Sequence, residues 1–125
     1  MEEAKTYLSE AAPALREIGA LEQLSDVLVK LALVRRREGD LGGSVTAYRE
    51  ALDARGRMGD ASGAAMIHMN LGALFESAGD FANAGMAYHQ ARQALAAAGD
   101  TAAARTATEA VQRMKERGGS PTPAP

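Results

Sequence analysis

Cysteine and tryptophan are absent from this chain of 125 residues, histidine occurs twice, and aromatic residues make up only 4%. Without cysteine there are no disulfides and no thiolate metal sites, which suits a reducing compartment. So few aromatics leave little on which to build a base-stacking platform. Long apolar runs are missing too, and stretches such as Leu31-Ala32-Leu33-Val34 fall far short of a bilayer span. Neither sign of charge dominates, because 14 basic and 16 acidic residues are interspersed for a net charge of -2. That balance gives no electrostatic case for nucleic acid or anionic lipid. The acidic start Met1-Glu2-Glu3-Ala4, with no apolar run behind it, is not a secretory signal. The expectation is a cytoplasmic protein with no nucleic-acid and no membrane partner.

What the chain has instead is alanine and glycine. Much of its 46% apolar content is alanine, the best helix former and one that adds little apolar area per residue. This composition favours an all-α protein whose helices approach closely through many small contacts. The glycines keep a period. Gly39-Asp40, Gly59-Asp60, Gly79-Asp80 and Gly99-Asp100 repeat every 20 residues, and the series extends back to Gly19-Ala20 and forward to Gly119-Ser120. Glycine takes the left-handed conformation that closes a helix, and aspartate accepts from the free N–H groups that open the next. Each pair is therefore a stop followed at once by a start. Between stops lie about 17 helical residues, roughly 26 Å of helix at 1.5 Å per residue. Six helices follow, over residues 3–18, 21–38, 41–58, 61–78, 81–98 and 101–117, and connections this short make neighbours antiparallel.

Alternate helices share a pattern, so the full period is two helices. Helices one, three and five align Ala4, Ser44, Ala84; Leu8, Tyr48, Tyr88; Ala11, Ala51, Ala91; and Ala14, Ala54, Ala94. Helices two, four and six align Val27, Ile67, Ala107; Leu31, Leu71, Val111; and Val34, Leu74, Met114. Within each helix these positions recur at spacings of three and four, which makes one inward face.

The stretch Asn70-Leu71-Gly72-Ala73-Leu74-Phe75, then Gly79-Asp80-Phe81, then Ala84, Tyr88 and Ala91, resembles the tetratricopeptide repeat family. The other hairpin keeps Leu31-Ala32, Gly39-Asp40-Leu41, Ser44, Tyr48 and Ala51, but has Arg35 where Phe75 is the counterpart. An arginine there must lie partly exposed. The 40-residue period looks like the long-helix variant found in polarity scaffolds and bacterial signalling regulators. The resemblance covers Leu21 to Ala98 well and the flanking helices by register. It implies an antiparallel helical-hairpin solenoid over 1–117: a half-repeat 1–20, repeats 21–60 and 61–100, and a capping helix 101–117. Pro13 should kink or shorten the first helix. Residues 118–125, Gly-Gly-Ser-Pro-Thr-Pro-Ala-Pro, read as a flexible tail.

Nothing in the sequence assembles a catalytic centre or a cofactor or metal site. His68 and His89 have no ligand-spaced neighbours; His68 reads as a core or semi-core histidine and His89 as exposed. No glycine cluster forms a phosphate-cradling loop after a strand. Arg35-Arg36-Arg37 sits at a helix C-terminus, where cations complement the dipole. The chain is therefore expected not to be an enzyme.

The resemblance implies that helices two, four and six line a concave groove. The residues left over from the inward face are Asp26, Val29, Lys30, Leu33 and Arg37 on helix two. On helix four they are Met66, Met69, Asn70, Ala73 and Ser77, and on helix six Thr106, Glu109, Ala110, Arg113 and Arg117. Val29, Leu33, Met66 and Met69 suit an adaptable apolar floor. Asn70 supplies the donors and acceptor that grip a peptide backbone, and matches an asparagine that scaffolds of the family use in this way. Lys30, Arg37 and Arg113 suit acidic groups. The lysine and asparagine clamp that some relatives use for carboxylates is incomplete. The expected function is binding of a peptide or partner domain. The alternatives are a self-association module and a regulatory sensor segment of a larger signalling or transcriptional protein. Tyr7 and Ile18 lie off the inward face of helix one, which points to contact with another copy or with further parent sequence there.

Overall fold

The computed structural model describes residues 2–118. Among these residues are six α-helices and no strand: α1 (Glu2–Ile18), α2 (Leu21–Arg37), α3 (Leu41–Arg57), α4 (Ala61–Ser77), α5 (Phe81–Ala97) and α6 (Thr101–Glu116). Every end lies within one residue of the bound read from the glycine series. The turns show why. Gly79 has φ +78°, its N–H donates to the Glu76 carbonyl at 3.0 Å, and the Asp80 N–H reaches back to the Phe75 carbonyl at 2.9 Å. This is the Schellman closure of a helix C-terminus. Gly39 and Asp40 repeat it with Arg36 and Arg35. The aspartate carboxylate then caps the next helix: Asp40 accepts from the Gly43 N–H at 2.8 Å, Asp80 from Asn83 at 3.2 Å and Asp100 from Ala103 at 3.1 Å. At the far end the chain leaves α6 through Gly118 (φ +92°), one residue before the position the series marks. Gly119-Ser120 and the expected tail lie outside the described residues.

The chain divides into two compact units between Asp60 and Ala61. In the first, α2 packs against both α1 and α3. Its core joins Leu8 and Ala12 of α1, Leu24, Leu28, Leu31 and Ala32 of α2, and Ala47, Tyr48, Ala51 and Ala54 of α3. The buried Ser44 hydroxyl donates to the Ala32 carbonyl at 2.8 Å, which is how a polar residue is accommodated at an alanine position. Arg35 is half-buried, as its place in an apolar register demands, and donates to the Gly43 carbonyl at 3.0 Å. Ion pairs Lys5–Glu38 (3.4 Å) and Arg16–Glu50 (2.7 Å) tie α1 to α2 and α3.

Three expectations for α1 need correction. The helix is not shortened at Pro13 but runs unbroken from Glu2 to Ile18. Pro13 and Ser9 are both exposed, so water can satisfy the carbonyl that loses its donor. Ala4 and Ala14, placed on the inward face, are exposed, and Ala11 is only half-buried. The register in α1 is that of a helix with two neighbours, whereas in this unit α2 covers one side of it.

In the second unit α5 packs against both α4 and α6. One core cluster holds Ala84, Tyr88, Ala110, Val111 and Met114 with Met69, Phe75 and Phe81 against it; another holds Ala65, Ala91, Leu95 and Ala107. Small side chains let the helices close. At Gly72 an added Cβ would stand 2.5 Å from a ring carbon of Tyr88, so α4 and α5 approach there more closely than any other residue permits. Thr101, Arg105, Glu109, Gln112, Arg113 and Lys115 are all exposed, giving α6 the polar outer face expected of a cap.

Candidate functional site

In the second unit the outward face of α4 carries Met66, Met69, Asn70 and Ala73. Met66 is 59% exposed, while Met69, Asn70 and Ala73 are half-buried. Met69 is not a free floor residue, because it packs against both core clusters of its unit. The Asn70 side chain makes no hydrogen bond to a described residue, so its carbonyl and both amide donors remain available. On the same helix, but on another face, His68 is half-buried with Nδ1 shielded from solvent and unpartnered. Burial pushes its pKa below the ordinary histidine value, which keeps the ring neutral near pH 7.

In the first unit α2 presents Val29, Lys30, Leu33 and Arg37 on one face. Leu33 is 41% exposed, Val29 half-buried, and Lys30 and Arg37 are exposed without an ion pair among the described residues. Asp26, read from the sequence as a groove residue, is already engaged. Its carboxylate accepts from Arg55 at 2.9 Å, while the same guanidinium donates to Ser25 Oγ at 2.9 Å and to Asp60 at 3.0 Å. Arg55 thereby pins α2, α3 and the turn after α3 together.

On α6 the assignments change most. Ala110 is a core residue, 3% exposed and packed with Tyr88 and Met114, because α6 turns that face to α5. Arg113 does not stand free for a partner's carboxylate: Glu76 accepts from it at 3.0 and 3.2 Å. Its guanidinium also lies over the Tyr88 ring, 5.9 Å from the centroid, and the Tyr88 hydroxyl donates to Glu76 at 2.8 Å. Those contacts move the pKa values in opposite directions. The hydrogen bond from Arg113 holds the Glu76 carboxyl below the usual carboxylate range, and burial with the Glu76 bond pushes the Tyr88 phenol up to about 12. Arg117, 5.7 Å from the Phe81 centroid, adds a second cation over an aromatic ring. This cluster joins all three helices of the unit. His89, expected to be exposed, is half-buried because Arg92, one turn on, lies against its Nδ1.

Sequence reasoning missed two features. The Arg55 network had a signal, since Arg55 stands in register with Leu15 and Leu95, and an arginine among leucines marks a half-buried polar staple. The other had none: a crevice of about 760 Å³ where the end of α1, the first half of α2 and α3 diverge. Leu21, Leu24, Leu28 and Ala54 line it, beneath a rim on which Arg16 pairs with Glu50 and Arg57 with Asp53.

No protein-family profile matches the chain, and no curated protein does. Among solved structures, BtubC (BKLC) from P. vanneervenii is similar in fold, with a TM-score of 0.66 at 20% identity. The likeness takes in the whole of this chain and 60% of that one, so the chain spans less than two thirds of the BtubC chain. At this identity it speaks to fold alone, and agrees with an all-α protein of helical hairpins.

Proposed function

We propose that the chain is a protein–protein interaction module of tetratricopeptide type, which acts in the cytoplasm by holding a peptide or a partner domain and catalyses nothing. In support stand the register of the six helices, the Gly-Asp closures, and the close fit of Gly72 under Tyr88. The observation that carries the reading is the Asn70 side chain. It is a half-exposed amide with no hydrogen bond to a described residue, on one helix face with the exposed Met66. A polar group so placed has nothing to do for the fold, and is suited to pair with a partner's backbone. On α2, Leu33 with Lys30 and Arg37 offers a second contact, apolar with a basic edge, to which acidic side chains of the partner fit.

The test is to place a photo-reactive residue at position 66, and at position 105 on the outer face of α6 as a control. Position 66 should trap a partner chain, and Asn70→Ala should reduce that adduct about tenfold, the scale of losing a backbone-directed pair of hydrogen bonds. Equal trapping at both positions, or an adduct indifferent to Asn70→Ala, would overturn the proposal.

A further inference from the structure

One face of α1 is built like faces that seat a helix elsewhere in the chain. In α3 the positions Ser44, Ala47, Ala51 and Ala54 are at most 2% exposed, and the helix packed on α3 in its unit is α2, joined by the Ser44–Ala32 hydrogen bond. In α5 the same register positions Ala84, Ala87 and Ala91 are at most 5% exposed. The counterparts in α1 are Ala4, Tyr7, Ala11 and Ala14. Three of these are exposed, Tyr7 by 69%, and only Ala11 is half-buried. Ile18 continues the series at 76% exposure. Meanwhile α1 meets α2 through a neighbouring face, with Leu8 at 7% and Ala12 at 4%. The series 4, 7, 11, 14, 18 alternates steps of three and four residues, the seam one helix offers another.

We infer that this face of α1 seats a helix of a partner protein, one with an apolar seam, a small residue opposite Tyr7 and basic residues along one edge. The small residue follows from size. Tyr7 stands where α3 and α5 have alanine, and in the second unit a tyrosine held close against a neighbouring helix meets a glycine, Gly72 lying under Tyr88. The basic edge follows from charge. Glu3, Glu10 and Glu17, seven residues apart, run along one side of the seam, all exposed and without a hydrogen bond or ion pair to a described residue. The same three carboxylates disfavour a second copy. Antiparallel pairing about a two-fold axis puts Glu10 against Glu10 of the other copy, and Glu3 against Glu17, while like charges across a helix pair repel. Parallel pairing turns the acidic edge toward the side holding Leu8 and Leu15, which α2 already covers. This seat is separate from the faces of α2 and α4 and does not depend on them.

The probe is a synthetic helical peptide of about 18 residues, five turns. It carries a leucine and alanine seam, a glycine opposite Tyr7 and three lysines on one edge; the control peptide carries glutamates in their place. Fluorescence anisotropy should show the lysine peptide binding at least about tenfold more tightly, the sum of three attractive pairs gained and three repulsive ones avoided. Added salt should shrink that ratio. Tyr7→Glu together with Ala14→Glu, both at exposed positions, should abolish binding with the circular dichroism unchanged, whereas Asn70→Ala should leave it intact. Equal affinity for the two peptides, or full binding by the doubly substituted chain, would sink the inference. So would sedimentation of the chain alone as a dimer that those substitutions dissolve, since the occupant would then be a second copy.

Discussion

Replacing a glycine inside a helix by alanine normally stabilises a protein by about 0.8–1.0 kcal/mol, because glycine gives up more backbone entropy on folding. At Gly72 the sign should invert. The new Cβ would lie 2.5, 2.6 and 2.8 Å from three ring carbons of Tyr88, about 1 Å inside ordinary carbon contact. The ring has little freedom to yield. It is 4% exposed, its hydroxyl is bonded to Glu76, and Arg113 lies over its face. Overpacking of this kind costs about 1–3 kcal/mol, so a net loss centred on about 1 kcal/mol, and at most about 2 kcal/mol, should remain after the helix propensity is credited.

Gly56 supplies the control. It too is helical, but nothing lies within 4 Å of a Cβ built there, so Gly56→Ala should gain about 0.5–1 kcal/mol. Thermal unfolding followed by circular dichroism should therefore move Tm in opposite directions for the two changes, by roughly 2–8 °C per kcal/mol at this chain length. Relief of the clash should be visible as coupling: Gly72→Ala with Tyr88→Leu should cost less than the two single changes added. A rise in Tm for Gly72→Ala like that for Gly56→Ala would refute the reasoning, because the ring would then be shown to move aside freely.

Three further outcomes are expected. Arg55→Leu should destabilise by about 1–3 kcal/mol in urea titrations, since Ser25, fully buried, loses its donor, and most of that loss should vanish when Ser25→Ala is added. The Glu76 carboxyl titrates below its ordinary 4.5 in the folded chain, mainly through Arg113, so the unfolded chain binds more protons there. Stability from this group is thus complete above pH 4.5 and is lost as pH falls through the lowered value; Glu76→Gln should flatten that acid limb of a stability–pH curve. Asn70→Ala, which removes no internal hydrogen bond, should leave Tm within about 2 °C of the native chain, the scale of a surface change.

The helices were legible because their ends are written in chemistry that acts locally. A glycine with positive φ and an aspartate that caps need no knowledge of the rest of the chain, and so the boundaries followed from Gly39-Asp40 and its repeats almost residue by residue. The inward face was legible where both neighbours of a helix are present in its unit, as for Leu31 on α2 and Tyr88 on α5. It failed at Ala4 and Ala14, where the pattern records a neighbour that these residues do not meet. The candidate site was read less well for a related reason. Asn70 and Met66 stand on the outward face of α4, which one helix's periodicity reveals. Whether Asp26, Met69, Ala110 and Arg113 are free is a different matter, because it depends on which side chain another helix brings to them. Arg55 reaches Asp26 from 29 residues away and Glu76 reaches Arg113 from 37, beyond the reach of any periodic reading.

The two units also show how far one register can diverge in chemistry while keeping its geometry. At the position one turn before the closing glycine, unit two has Phe75 against its core cluster, and unit one has Arg35 bonded to the Gly43 carbonyl. One turn before the next closing glycine, Leu95 is 3% exposed, whereas Arg55 binds Ser25, Asp26 and Asp60. Beside the buried tyrosine, Glu76 accepts from Tyr88, while the counterpart Arg36 has no acceptor oxygen to offer Tyr48. That last difference bears on Gly72. Ala32 and Tyr48 hold the equivalent register positions and are buried at 0% and 1%, so the same register carries a Cβ in unit one. In unit two Glu76 and Arg113 hold the Tyr88 ring, and a Cβ at Gly72 would stand 2.5 Å from it. The close approach at Gly72 and the polar cluster of Glu76, Tyr88 and Arg113 thus meet on one ring, and a change to either is felt by the other.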